Sequence, residues 1–116
     1  MIGHQLEKGW VITDGGWMAL SRDRGTANQK VDQGYGLVCD INGNILDGLW
    51  VSGANQEHGI ISDRSGLNFD PKKFPIGTRL RILPNHACPI SAQHPCYYVV
   101  NGDIEIKDKW NRFYGW

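Results

Sequence analysis

At 116 residues the chain has the length of one domain (1–116), and its 41% hydrophobic share excludes a disordered polypeptide. That length supports one core but not a complete cofactor enzyme, since a (β/α)₈ barrel alone needs about 250 residues. Lys plus Arg and Asp plus Glu balance at 12 each, which argues against nucleic acid or an anionic membrane surface as the main partner.

In chain order the punctuation reads as all-β. The opening MIGHQLEKGW lacks the long apolar stretch of a signal peptide, and no apolar run is long enough to span a membrane. GWVITD is the first clear strand. GGWMALSRDRGTANQK has room for one short helical turn, and its Arg22, Asp23 and Arg24 read as a solvated or salt-bridged turn. Asp14, in DGG, reads as a turn residue. VCDINGNILDGLW places Asn42-Gly43 between two apolar runs, so residues 35–52 are predicted to form a hairpin around a type I′ turn. QEHGII is a further strand. The segment from Ser62 to Gly77, with Pro71 and Pro75, reads as a long loop. In TRLRILP, Thr78, Leu80 and Ile82 share a strand face opposite Arg79 and Arg81. YYVVNGDIEIKDKW repeats the Asn-Gly device at Asn101-Gly102, after which Ile104 and Ile106 alternate with Glu105 and Lys107 like a half-buried strand. The expected fold is all-β: a small distorted barrel or sandwich of seven or eight strands in antiparallel hairpins, with little helix. Four aromatics crowd the ending WNRFYGW, an apolar terminus that suggests packing against another chain or domain.

Chemistry concentrates in HACPISAQHPC, residues 86–96, where His-x-Cys occurs twice, as His86/Cys88 and His94/Cys96. On an extended strand, residues i and i+2 share a face about 6–7 Å apart. An imidazole nitrogen and a thiolate there can reach one Zn²⁺. Both pairs together would make a closed Cys₂His₂ structural site, whereas one pair alone leaves positions open for water, substrate or another ligand. In a bland alternative, His94 and Cys96 are a turn and a buried thiol. A Cys88–Cys96 disulfide is disfavoured: three cysteines in a disulfide-poor chain fit a reducing, cytoplasmic protein.

DGGWMALSRDRGTA, QGYGLVCD, ANQEHGI, IGTRLRILPNHACPISAQH and a final W-x-R-x-x-G-W together resemble the C-terminal domain of the D-threonine aldolase / D-serine dehydratase family, over nearly the whole chain. The most specific of these motifs is PNHAC, residues 84–88. The resemblance implies an alanine racemase-like architecture, in which a barrel domain carries pyridoxal phosphate on a lysine and a C-terminal β-domain completes the active site. It implies a divalent metal held by a His-x-Cys or His-x-Asp pair, which falls here on His86 and Cys88. Cysteine at the second position is similar to the zinc-dependent D-serine dehydratases, and a thiolate–imidazole pair favours Zn²⁺, with Mn²⁺ as the other candidate. The implied substrate is a D-β-hydroxy amino acid, with the metal as a Lewis acid on its β-hydroxyl and the cofactor as electron sink.

QEHG also matches the family. His58 is accordingly a candidate proton carrier, against a structural reading as a strand residue with a backbone partner. Tyr35 is a candidate cofactor contact, against simple packing, and Asn85 is expected to orient the loop before His86. No lysine matches the Schiff-base position, and IGHQLEKGW looks like a strand of the full enzyme entered partway. The chain is therefore expected to be inactive without a barrel domain or a separately encoded barrel subunit. It could dimerise to cover the exposed face. The other reading is a stand-alone zinc-binding or oligomerising β-module with no enzymatic role.

Overall fold

Short apolar runs separated by glycine-rich turns produce short strands. The computed structural model describes residues 1–66, 69–102 and 104–113. Among these it has eight strands: β1 (Gly3–Gln5), β2 (Trp10–Thr13), β3 (Gly36–Cys39), β4 (Ile45–Ala54), β5 (Gly59–Asp63), β6 (Arg81–Pro84), β7 (Cys96–Val99) and β8 (Asp108–Asn111). Two short α-helices, α1 (Trp17–Leu20) and α2 (Ala87–Gln93), interrupt them. The first six strands form one antiparallel sheet in the order β1-β2-β5-β4-β3-β6, and β7 pairs with β8 in a separate ribbon. This is the expected antiparallel β-domain with little helix.

The sheet buries one face. Val11 and Val51 are both direct cross-strand partners of Ile61. These three, with Val38 and Leu49, form the buried core, against which Tyr35, Leu80 and Ile82 pack. Each fully buried aliphatic side chain contributes on the order of 1.5–3 kcal/mol. The two sheet edges do not pair as strands. Instead, the Met1 nitrogen donates to Thr78 O (2.8 Å) and Gly77 N donates to Met1 O (3.0 Å), so the segment leading into β6 bridges back to the first residue. The sheet therefore curls like a distorted barrel without closing.

Every neighbouring pair in the large sheet is antiparallel, so β2, β4 and β6 run one way and β3 and β5 the other. The ends of β2, β4 and β6 and the starts of β3 and β5 consequently share one end of the sheet. Tyr35, the 55–58 turn, α1 and His86 all adjoin that end.

Several expectations change in detail. The 35–52 hairpin exists, but only Gly43 of its Asn-Gly pair has positive φ (93°). The turn is built by Asp40, whose carboxylate accepts from the Asn42 and Asn44 backbone nitrogens (2.8 and 2.9 Å), so it is not type I′. Strand β5 begins at Gly59, leaving His58 in the preceding turn. In TRLRILP only Arg81 onward is strand, because Thr78 closes a turn onto Pro75 O (3.0 Å). Asn101 and Gly102 both take positive φ, as expected of an Asn-Gly turn. Yet pairing resumes only between Val99 and Asp108, and Ile106 is 62% exposed, so the Ile104–Ile106 alternation marks no buried strand face. His86 and Cys88 do follow the end of a strand, but the extended geometry stops at His86, since Ala87–Gln93 form α2. Of the aromatic ending, Trp110 and Phe113 are exposed, while Tyr114 and Trp116 lie outside the described residues.

Candidate metal centre

His86 follows the last residues of β6 and is the N-cap of α2, with extended backbone (φ −142°, ψ 99°). Cys88 is the second residue of the helix and is exposed as a free thiol. The pair therefore straddles a strand-to-helix junction. The same-face argument for an extended strand does not hold here, because Cys88 is already helical. The junction follows from the sequence: Pro84 ends the β6 ladder at Gly36, and Pro89 at the third helical position lacks an N–H that the first turn leaves unbonded in any case.

Side chains from the 21–35 loop hold this junction. Asn85 Nδ2 donates to Gly34 O and to Thr26 Oγ1 (3.3 Å), which fulfils its expected role of orienting the loop. The Thr26 hydroxyl donates to Asp32 Oδ1 (3.0 Å) and accepts from Gln33 N (2.8 Å). Arg24 pairs with Asp32, and Arg64 Nη1 donates to Asp32 O (2.7 Å). The Gly34 N–H donating to Asp32, helped by the Thr26 hydroxyl and Arg24, holds the Asp32 carboxyl below its ordinary range against the opposing effect of burial. Gly34 has φ 60°, and a Cβ there would strike Val51 O, so the loop can lie this close to β4 only with glycine.

Asp23, read from sequence as an ordinary surface turn residue, points at the site. Its Oδ2 lies 2.7 Å from His86 Nδ1. Nδ1 is itself buried, and the carboxylate sits off the hydrogen-bonding direction, so this is a close electrostatic pairing rather than an aligned hydrogen bond. The turn that aims Asp23 is strained: Ser21 is buried, with φ 66° and ψ 159°, a conformation costing on the order of 1–3 kcal/mol outside glycine. Ser21 Oγ accepts from Asp23 N (2.9 Å). With its amide oriented so that both ends are satisfied, Gln93 donates to Trp17 O (2.9 Å) and Met18 O (3.0 Å) and accepts from Ser21 N (3.0 Å). Helix α2 is thus tied at one end to Asp23 and at the other to α1. Nothing in the local sequence signals the Asp23–His86 contact, because the two residues lie 63 positions apart.

The second His-x-Cys pair lies elsewhere. His94 is the C-cap of α2 and its Nε2 meets Ala19 O (3.1 Å), while Cys96 opens β7. The seven residues of α2 span about 10 Å, so the two pairs sit at opposite ends of a rod far longer than any metal–ligand bond. Among the described residues no group of three or more His, Cys, Asp or Glu side chains is arranged to hold a metal ion. The closed four-ligand reading is therefore not what the fold builds. All three cysteines are free, so no disulfide joins Cys88 to Cys96.

Tyr35 and His58 share the sheet end with His86 but not its immediate surroundings. Tyr35 packs against the core, with Arg24 over its ring at 5.9 Å, and its backbone N–H donates to Val51 O (2.9 Å). His58 is exposed. It lines an open groove of about 440 Å³ with His4, Trp10, Asn55 and Ile60, and its carbonyl accepts from Asn55 N (2.7 Å). Three inter-strand steps separate β5 from β6, about 14 Å along the sheet. Helix α1 spans the interval: Trp17 N and Met18 N donate to Asn55 O (2.9 Å) and Gln56 O (3.1 Å), and α1 also contacts α2. A Cβ on Gly16 would collide with the backbone of Asn55, Gln56 and His58, so α1 can dock on that turn only because residue 16 is glycine.

The donor set suits a borderline divalent cation. It offers an imidazole whose Nδ1 faces a carboxylate, which leaves Nε2 for a ligand, and an exposed thiol two residues on.

Comparison with known proteins adds a lineage. The profile of a family described as a putative serine dehydratase domain matches residues 1–100. D-threo-3-hydroxyaspartate dehydratase from Delftia sp. (strain HT23) is 53% identical over 118 aligned residues, covering all of this chain and 31% of that protein. The matched part is the C-terminal domain of that protein, and the chain spans about a third of the relative's length. Two solved structures superpose closely. One is a cysteine-to-alanine variant of D-threo-3-hydroxyaspartate dehydratase in a metal-free form (TM-score 0.90, 53% identity, 99% of this chain, 31% of that one). The other is a histidine-to-alanine variant of an enzyme of the same name, substituted two positions earlier in the numbering (TM-score 0.89, 52% identity, 99% and 30%).

Proposed function

The chain belongs to the serine dehydratase-domain family, and from that premise we propose that it is the metal-carrying C-terminal domain of a pyridoxal-phosphate-dependent lyase acting on D-β-hydroxy amino acids, with His86 and Cys88 as the metal ligands. The observation that carries this reading is a shared spacing. The related dehydratase has been solved with substitutions at a histidine and a cysteine two positions apart, the cysteine variant in a metal-free form, and His86 and Cys88 have the same spacing. The relationship to a hydroxyaspartate dehydratase favours dehydration over retro-aldol cleavage.

In this reading the bound metal supplies Lewis acidity toward the substrate's β-hydroxyl, and the cofactor, held by a barrel domain, supplies an electron sink. This chain's part is to present two ligands on a firmly oriented junction and to leave the remaining coordination positions open. Asn85 fixes the backbone entering His86, and Asp23 faces the ring nitrogen turned away from the ligand position. In this reading His58 and Tyr35, at the same sheet end, would meet substrate or cofactor from a partner domain rather than the metal itself. Zn²⁺ is the ion this soft–borderline pair prefers over Mn²⁺. Without the barrel the chain is expected to have no turnover. The cytoplasm is the compartment in which three free thiols persist.

A zinc titration against a competing chromophoric chelator tests the reading. The full 116-residue chain is expected to bind one Zn²⁺. Cys96→Ser should bind equally well, whereas His86→Ala and Cys88→Ser should lose affinity by at least 100-fold, beyond the 10- to 100-fold typical of losing an outer partner. Binding that survives both of the latter changes, or that disappears with Cys96→Ser, would remove the assignment.

A further inference from the structure

The carboxylate that meets His86 comes from the 21–35 loop, which also binds Asn85 through Thr26 and Gly34, and the fold spends unusual geometry on placing it there. Ser21 takes a backbone conformation that non-glycine residues rarely adopt, the Ser21 hydroxyl receives the Asp23 N–H, and Gln93 of α2 grips the same turn from the far end of the helix. Asp23 Oδ2 ends 2.7 Å from His86 Nδ1, the only group among the described residues that pairs with that buried nitrogen. No hydrogen bond among the described residues occupies Nε2.

We propose that Asp23 is a positioning residue for the metal centre: it holds the proton of neutral His86 on Nδ1, so that Nε2 presents its lone pair to the cation. Isolated imidazole has two tautomers, and a carboxylate oxygen 2.7 Å from Nδ1 attracts the proton to that nitrogen electrostatically, which leaves Nε2 free to bind a metal. A carboxylate behind the ring also raises the ligand's basicity and limits its rotation. Asp23 does not touch substrate, cofactor or metal in this arrangement and acts only through His86. The inference rests on the assignment of His86 as a ligand.

The test uses the full chain and the variants Asp23→Asn, Asp23→Ala and Cys88→Ser, with far-UV circular dichroism confirming that each is folded. Two measurements are made. Long-range ¹H–¹⁵N correlation spectra of the His86 ring at alkaline pH, in the metal-free chain, report the tautomer. Zinc affinity is measured by chelator competition. In the wild type, Nδ1 is expected to carry the proton and zinc is expected on Nε2. In Asp23→Ala the tautomer mixture should shift toward Nε2–H and zinc affinity should fall about 10- to 100-fold. Asp23→Asn keeps an acceptor without the charge and should fall between wild type and alanine. Unchanged tautomer and affinity in Asp23→Ala, beside the expected loss in Cys88→Ser, would overturn the role of Asp23 alone. Zinc found on Nδ1 would overturn it too, by making Asp23 a candidate ligand. Zinc binding absent from the wild type, or indifferent to Cys88→Ser, would instead bring down the metal assignment on which the role depends.

Discussion

The six-stranded sheet and the segment after β6 are built on different principles. In the sheet, Val11, Val38, Val51 and Ile61 are almost wholly buried in one cluster, with Ile61 facing both Val11 and Val51 across neighbouring strands. After Pro84 no described residue is buried: α2 and the β7–β8 ribbon are held by polar ties such as Tyr97 Oη to Ser91 O (2.8 Å), Arg112 to Ala92 O, and Gln93 to α1. The metal-ligand candidates stand at the seam. His86 follows a core-anchored strand, while Cys88 belongs to a helix with no core of its own. A seam of this kind gives the site one wall backed by the buried core and one wall held by polar ties.

The sharpest way to break this comparison is to truncate an isoleucine on each side and compare the results. Ile61→Ala should cost about 2–5 kcal/mol and lower the melting temperature cooperatively, because a buried aliphatic is replaced by a cavity. Ile106→Ser, at an exposed position on the other side, should change stability by no more than about 0.5 kcal/mol. A large effect at Ile106 would show that the ribbon has a hidden core or a partner in solution.

A smaller loss is expected at the loop that links the two regions. Gly34→Ala requires a residue with a side chain at φ 60° and forces a Cβ toward Val51 O, which should cost about 1–3 kcal/mol in denaturant unfolding. Because Gly34 also bonds Asn85 and Asp32, the same variant should weaken zinc binding. Full zinc affinity in a destabilised Gly34→Ala chain would show that the two regions are uncoupled.

The smallest effect concerns acid. The Asp32 carboxyl is lowered from an ordinary value of 3.8, first by the Gly34 N–H and then by Thr26 and Arg24. A carboxyl with a lowered folded-state pKa adds stability that is fully present above the ordinary value and is lost as pH falls through the folded value. Asp32→Asn should therefore flatten the acid limb of a stability-versus-pH curve below about pH 4, with little change in the shape of the curve near neutrality. An unaltered acid limb would mean that the 21–35 loop contributes nothing to acid sensitivity.

Much of the fold was legible from local pattern. Antiparallel hairpins, little helix and the short α1 followed from turn residues and period-2 alternation, since both are set within a few residues. The reading failed where local pattern and burial separate. Ile104 and Ile106 alternate like a strand, yet both lie exposed. ACPISAQ contains a proline and β-branched Ile90, which weakens any helical signal, yet proline is tolerated in the first turn of a helix.

By itself the sequence determined the chemistry available to this protein: an imidazole and a thiol two residues apart after a proline-ended strand, in motifs shared with a dehydratase family. Ligand identity and spacing are covalent facts of the chain. The tertiary structure alone decided which His-x-Cys pair stands apart from the other, by placing a seven-residue helix between them, and which distant carboxylate, Asp23, faces His86. Those outcomes depend on how sheet, loop and helix stack at one end of the molecule. Contacts between residues far apart in the chain are set by packing and have no local sequence pattern.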